Sequence, residues 1–150
     1  VYRLHLFKNP FASFNDHWFR ETSQLDILKL EEAAALILET KDFISFAKMG
    51  NELEHFECTI YESRWVRDQS GTYEYHIAAN RFVRGMVRLI VGMSINYALS
   101  RISLEEVKSD ILARRQIVKS YSVAAEGLTL VEIRYPEESV DQWNLLDFRI

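Results

Sequence analysis

Asn-Arg-Phe-Val-Arg-Gly-Met-Val-Arg-Leu-Ile-Val-Gly, residues 80–92, is the stretch of this 150-residue chain that says most about its fold. We interpret it as the start of a helix capped by Asn80. At about 100° per residue, Arg81, Arg84 and Arg88 lie within about 60° of one another, and apolar side chains occupy the opposite side. One face of this helix then meets a core and the other meets an anion. The alternative is that the three arginines are simply solvated.

Two glycines interrupt the same predicted helix, which we expect to end near Ser100. Gly85 and Gly92 lie beside the arginines, and each costs about 1 kcal/mol of helix propensity relative to alanine. The missing side chains would let a large group approach the helix backbone. We therefore expect both glycines to have a use.

Composition limits what the rest of the chain can be. The sequence is 48% hydrophobic and 13% aromatic, enough for one core and one domain. Its net charge of −4 argues against a strongly basic nucleic-acid-binding protein, so any RNA contact must be a local patch or depend on another domain. The single cysteine, Cys58, excludes an internal disulfide, and no apolar run is long enough to cross a membrane, so we expect a cytoplasmic protein.

The remaining elements predict an α+β domain, an antiparallel sheet with helices on one face. Alternation and turn residues predict strands at 2–7, 56–67, 72–79 and 124–136 and an irregular loop at 11–23. A second helix should run over 26–39 from an Asp26 cap, and a third over 103–115 from a capping box at Ser103. In the second helix we expect a buried side made of Leu28, Ala33, Leu36 and Ile37. Phe43 and Phe46 are interpreted as core residues rather than RNA contacts.

Three segments resemble one known family. Residues 82–92 closely resemble the Phe-x-x-x-Met-Val-Arg-x-Ile-Val-Gly signature of the tRNA pseudouridine synthase A (TruA) family. Residues 124–136 resemble its Ala-x-x-Gly-Leu-x-Leu-x-x-Val-x-Tyr-Pro segment, and residues 42–46 resemble its Asp-Phe-x-x-Phe element. The resemblance runs from Tyr2 to about Pro136, and residues 137–150 lie outside it without a functional interpretation.

The resemblance implies isomerisation of uridine to pseudouridine in the tRNA anticodon arm, on a base flipped out of its stack, by an aspartate and without a cofactor. That aspartate belongs to an Arg-Thr-Asp-x-Gly-Val-His element of the amino-terminal half, which is not in this sequence. We therefore expect residues 1–150 to be the carboxy-terminal half of a homodimeric enzyme, inactive alone. The alternative is a free-standing, non-catalytic module that binds RNA or protein.

Site residues follow from the same resemblance. Arg88 corresponds to the active-site arginine that pairs with the catalytic aspartate, and Leu128 and Phe82 are assigned to the substrate pocket. Arg81, Arg84 and Lys48 are assigned to RNA binding. Lys48 could instead be a solvated lysine, and Leu128 an ordinary core residue. The register of the first strand makes Tyr2 the second tyrosine of the family's Tyr-x-Tyr strand and puts the base-stacking one just before Val1, so Tyr2 receives no stacking role.

The chain offers little support for metal chemistry. The four histidines, His5, His17, His55 and His76, are scattered, and no pair has the spacing of metal ligands. We therefore expect no metal site.

Overall fold

The computed structural model describes residues 1–5, 17–48, 55–69 and 71–135. Four strands and three α-helices are the main regular elements of this part of the chain. The strands are β1 (Tyr2–His5), β2 (His17–Trp18), β3 (Ile60–Arg67) and β4 (Tyr73–Ala79). The helices are α1 (Ile27–Glu39), α2 (Met86–Ala98) and α3 (Leu104–Leu112), with single 3₁₀ turns at Thr22–Gln24, Ile44–Phe46 and Ala125–Gly127.

The strands form one sheet in the order β2-β1-β4-β3. β4 pairs antiparallel with both β1 and β3, and the short edge strand β2 pairs parallel with β1. The three helices pack against this sheet, which confirms the predicted α+β class. The predicted hairpin is also confirmed, although its first strand begins at Ile60. Residues 11–16 of the predicted irregular loop, and residues 137–150, lie outside the described residues.

Helix α1 begins where the sequence predicted, because the Asp26 side chain accepts a hydrogen bond from the Leu28 amide at 3.0 Å. The prediction that Leu28 is buried is wrong, since it is 66% exposed. The buried face is instead set by Leu30, and a residue two positions away on a helix points to the other side. Its members follow the helical repeat: Leu30, Ala33, Ala34 and Ile37. Phe43 and Phe46 are both fully buried, so their core interpretation is confirmed.

Helix α2 begins five residues later than predicted, at Met86 instead of Arg81. Asn80 does not cap it, because its backbone amide and side-chain oxygen bond to Thr59 and extend the β3–β4 hairpin. Gly85, with φ of 81°, precedes the first helical residue, Met86. A left-handed residue cannot lie inside a right-handed helix, so residues 81–84 form a connection instead. The predicted helical stripe of three arginines is therefore wrong, and only Arg88 belongs to the helix.

The glycines of this region do admit close neighbours, as expected, and those neighbours are parts of the same chain. A Cβ placed on Gly92 would lie 1.9 Å from the Tyr121 carbonyl oxygen. A Cβ on Gly85 would lie 2.8 Å from the Lys48 Cγ. Helix α2 is thus crossed closely by the segment that contains Tyr121.

The carboxy-terminal elements are shorter than predicted. The capping box at Ser103 is present, but α3 ends at Leu112 because Arg114 takes a left-handed backbone with φ of 53°. The predicted strand over 124–136 is wrong, because after a bridge between Leu128 and Tyr2 no described strand lies beside it. Without a partner strand, backbone groups cannot form a ladder.

Candidate functional site

Arg88 lies in the first turn of α2 and is half-buried. Its Nε donates a 2.6 Å hydrogen bond to the Val123 carbonyl, and the Val123 amide donates back to the Arg88 carbonyl at 3.3 Å. One edge of the guanidinium is thereby fixed to the crossing segment. Its terminal amines pair with no carboxylate in the described part of the chain. The geometry therefore presents an oriented cation whose terminal donors are available to an incoming anion.

Tyr2 holds the next carbonyl of the same segment. Its buried hydroxyl donates to the Ala124 carbonyl at 2.7 Å. Burial raises the pKa of Tyr2 well above its ordinary value, while the nearby Arg88 charge acts in the opposite direction. The phenol therefore stays protonated near neutral pH and remains a donor. Tyr2 and Arg88 together fix two successive carbonyls.

The turn that follows places Leu128 next to Tyr2. Ala125–Gly127 forms a 3₁₀ turn, and Leu128 then pairs with Tyr2 in an antiparallel bridge. Leu128 is 39% exposed, so part of its side chain remains accessible. Tyr2 thus bonds Ala124, whose neighbour Val123 is bonded to Arg88, and also pairs with Leu128.

Two further side chains, His17 and Glu126, lie near Tyr2. The His17 ring meets the Tyr2 ring edge-on at 6.4 Å. Burial lowers the pKa of His17, and the Glu126 carboxylate opposes that shift. Glu126 also acts to raise the pKa of Tyr2. The neighbourhood of Arg88 therefore contains a neutral phenol and a nearby carboxylate on the 3₁₀ turn.

The other predicted cations lie on a separate surface, the basic loop, which we define as residues 80–85 with Lys48. Arg81, Arg84 and Lys48 are all exposed. The Lys48 amide donates to the Arg84 carbonyl at 3.0 Å, and the Lys48 side chain passes close to Gly85. Lys48 and Arg84, 36 positions apart in sequence, are therefore brought together.

Phe82 belongs to the basic loop rather than to the helix. It is 44% exposed, between two arginines of the sequence. Aromatic rings beside cations are typical of surfaces that contact both phosphates and bases. Its assignment to the substrate pocket stays a prediction.

Sequence reasoning did not identify Tyr2, Val123 and Ala124 as parts of the site. The family resemblance matched Tyr2 only to a tyrosine of the first strand, without a role in the site. Val123 and Ala124 act through backbone carbonyls, which no side-chain pattern records. The alternation of the first strand could have shown that Tyr2 points inward, but not which group its hydroxyl meets.

A cavity of about 670 Å³ lies elsewhere, between the end of α2 and the start of α3. Its polar groups satisfy one another, for example Lys29 Nζ with Ser100 Oγ at 2.6 Å and Arg101 with Glu21 at 2.6 Å. It therefore offers few uncommitted groups to a ligand. Within the described ranges, no group of three His, Cys, Asp or Glu residues could hold a metal ion, and no helix there is long and apolar enough to cross a membrane.

Comparison with known proteins identifies relatives of this chain. Residues 33–136 match the model of a family described as tRNA pseudouridine synthase. Over 138 residues the chain is 28% identical to tRNA pseudouridine synthase A of Bacteroides fragilis, covering 92% of this chain and 55% of that protein. It is 34% identical over 129 residues to the Azobacteroides pseudotrichonymphae protein of the same name, covering 86% and 51%.

A third relative matches the chain to a similar extent. The Bacillus subtilis tRNA pseudouridine synthase A is 28% identical over 134 residues, covering 89% of this chain and 54% of that protein. The chain thus spans about half the length of the curated relatives it matches. The basic loop, including Lys48, and the Val123–Leu128 segment all fall inside the residues matched by the family model.

Proposed function

We propose that this chain, which belongs to the tRNA pseudouridine synthase family, acts as the carboxy-terminal half of an enzyme that isomerises uridine in the tRNA anticodon arm. The observation that supports this most is the state of Arg88. It is half-buried, fixed through Nε to Val123, and without a carboxylate partner in the described part of the chain. Such an arginine is suited to receive a carboxylate from another part of the protein.

The role proposed for Arg88 is to pair with the nucleophilic aspartate of the amino-terminal half. Desolvation in a cleft raises the pKa of a carboxyl group, whereas an adjacent guanidinium lowers it. Arginine stays protonated under ordinary conditions, and its planar fork orients the carboxylate as well as keeping it ionised. Arg88 is therefore a group that positions and maintains the nucleophile.

Leu128 and Phe82 are proposed to contact the flipped uridine. A base leaves the stack at a cost of a few kcal/mol, which an apolar pocket wall and a stacking ring can offset. Leu128 is partly exposed next to Tyr2, and Phe82 is partly exposed on the basic loop. These exposed apolar groups support a pocket formed between this chain and the amino-terminal half.

The basic loop is proposed to bind the tRNA backbone. The chain carries a net charge of −4, so affinity for phosphate must come from a local group of cations. Lys48, Arg81 and Arg84 form that group, and a homodimer in the cytoplasm is the proposed working state. Binding should weaken as salt rises, because each phosphate contact made by these cations releases counterions from the RNA.

The decisive experiment compares Arg88→Ala, Arg88→Lys and Arg84→Ala in the full-length protein, meaning this chain joined to its amino-terminal half. We expect Arg88→Ala to slow single-turnover pseudouridine formation by about 10²-fold or more while tRNA affinity changes little. Arg88→Lys should also be slow, since a point charge does not reproduce the fork. Arg84→Ala should mainly weaken binding.

Two results would contradict the proposal. Turnover by Arg88→Ala at the wild-type rate would make Arg88 an ordinary arginine. Pseudouridine formation by the isolated chain would show that no aspartate from another half is needed. If the full-length protein bound tRNA but formed no pseudouridine, a non-catalytic binding module would be the better description.

A further inference from the structure

We propose that the RNA-binding surface continues from the basic loop onto the connection that follows α3, where Arg114 and Arg115 supply two additional phosphate contacts. This inference rests on the proposed function, because it extends the surface assigned to tRNA. Neither arginine was among the predicted site residues. The structure joins the two regions by two separate routes.

The first route consists of two hydrogen bonds, each accepted by a backbone carbonyl. The Gln116 side-chain amide donates to the Ala47 carbonyl at 2.9 Å. The next residue, Lys48, donates its amide to the Arg84 carbonyl at 3.0 Å. The connection after α3 is therefore bonded directly to the segment that lies against the basic loop.

The second route passes through Asp42 and Cys58. The Arg114 Nη1 lies 3.0 Å from the Asp42 Oδ2. Burial raises the pKa of the Cys58 thiol, and the charges of Arg81 and Asp42 both act on it. The Cys58 amide donates to the Lys41 carbonyl at 3.0 Å, and the next amide, that of Thr59, donates to the Asn80 side chain at 2.9 Å. The residue before Asp42 and the residue before Arg81 are therefore bonded to adjacent positions of one segment. Both routes join the connection after α3 to segments that adjoin the basic loop.

Arg115 is oriented outward by a buried carboxylate. The Asp110 side chain is only 5% exposed, and its Oδ1 accepts from the Arg115 Nε at 2.6 Å. Its Oδ2 accepts from the Val118 amide at 3.2 Å. Because Nε is the inner donor of the guanidinium, the terminal amines lie farther out, and the Arg115 side chain is 61% exposed.

Arg114 occupies a position that suits another residue better. Its φ of 53° is left-handed, a conformation that disfavours arginine relative to glycine. Its side chain is nevertheless 61% exposed, so burial does not offset that cost. Asp42 and Glu57 also lie on this surface, and Asp110 is buried beneath it. Asp110 holds Arg115 through Nε and Asp42 holds Arg114 through Nη1, so each guanidinium keeps further donors for a phosphate.

Arg114→Asn in the full-length protein tests the proposal. Asparagine tolerates the left-handed region, so the cation is removed while the backbone is kept. We expect the slope of log K for unmodified tRNA against log salt to become shallower by about 1, and by about 2 in Arg114→Asn/Arg115→Gln. Arg64→Gln is the matched control, because Arg64 bonds Glu62 through Nε at 2.5 Å, is 55% exposed and lies on β3.

The outcomes separate this inference from the proposed function. If Arg84→Ala reduces the salt slope and Arg114→Asn does not, the inference is overturned and the proposed function stands. If Arg64→Gln lowers the slope as much as Arg114→Asn, the effect is one of net charge and the inference also fails. If the wild-type protein does not bind tRNA, both fail. Arg114→Asn decides alone if the double variant, which leaves Asp110 unpaired, does not fold.

Discussion

Replacing Gly92 with alanine should disturb the site through its backbone. A Cβ at this position would lie 1.9 Å from the Tyr121 carbonyl oxygen, whereas real Cβ atoms essentially never come closer than 3.0 Å to such an atom. The crossing segment would have to move by about 1 Å or more. It is held to α2 by Ser120 Oγ donating to the Leu89 carbonyl at 2.9 Å and by the paired bonds of Arg88 and Val123.

The magnitude follows from opposing contributions. Alanine gains about 1 kcal/mol of helix propensity over glycine. Overpacking costs about 1–3 kcal/mol, and each weakened hydrogen bond about 1 kcal/mol. We therefore expect Gly92→Ala to lower the free energy of unfolding of the full-length protein by about 1–3 kcal/mol. Movement of Val123 should also release the guanidinium of Arg88 and slow pseudouridine formation.

Urea unfolding measures the stability effect, read as a lower midpoint at unchanged m-value. Ala98→Gly, in the same helix, calibrates the propensity difference and should itself cost about 1–2 kcal/mol. Gly92→Ala protein that is more stable than wild type by the propensity gain alone would refute the argument. A destabilised variant that forms pseudouridine at the wild-type rate at saturating tRNA would refute the link between Gly92 and Arg88.

Two further predictions concern β1 and its neighbours. Tyr2→Phe removes the donor to the Ala124 carbonyl, and we expect it to lower the free energy of unfolding by about 1–3 kcal/mol, measured by urea unfolding, because that buried acceptor loses its partner; an unchanged midpoint would contradict this. A hydrogen bond from Arg3, then one from His76, lowers the pKa of Glu74 below its ordinary 4.5, so its stabilisation is present above pH 4.5 and is lost as pH falls through the lowered value. Glu74→Gln should therefore lower the free energy of unfolding at pH 7, by less than about 1 kcal/mol for a partly exposed pair, but not in strong acid. Melting temperatures of both proteins at the two pH values measure this, and an equal difference at both would rule it out.

Local signals in the sequence predicted the elements that depend on local interactions. The Asp26 cap and the Ser103 capping box are formed by residues within three positions of each other, so side-chain identity is enough to predict them. The hairpin was predicted for a similar reason, because two alternating strands are joined by a short turn. The substrate class came from the family resemblance, which the family match supports.

Long-range contacts account for what the sequence did not reveal. The strand predicted after Gly127 needs a neighbouring strand, and alternation alone does not show whether one is present. Tyr2 meets the Ala124 carbonyl across 122 positions, which only the fold brings about. The burial of Leu28 was predicted from hydrophobicity, but the phase of α1 is set by the residues that meet β3.

The start of α2 also changes how the three arginines are divided between the helix and the basic loop. A continuous helix from Asn80 would have put Arg81, Arg84 and Arg88 on one face, where a single ligand could engage all of them. Gly85, with its left-handed φ of 81°, instead separates them. Arg84 is bonded to Lys48 through a backbone hydrogen bond, and Arg88 is bonded to Val123 through its side chain. Since the two arginines depend on different neighbours, loss of one should leave the other in place, and their effects on tRNA binding and on rate should be close to additive.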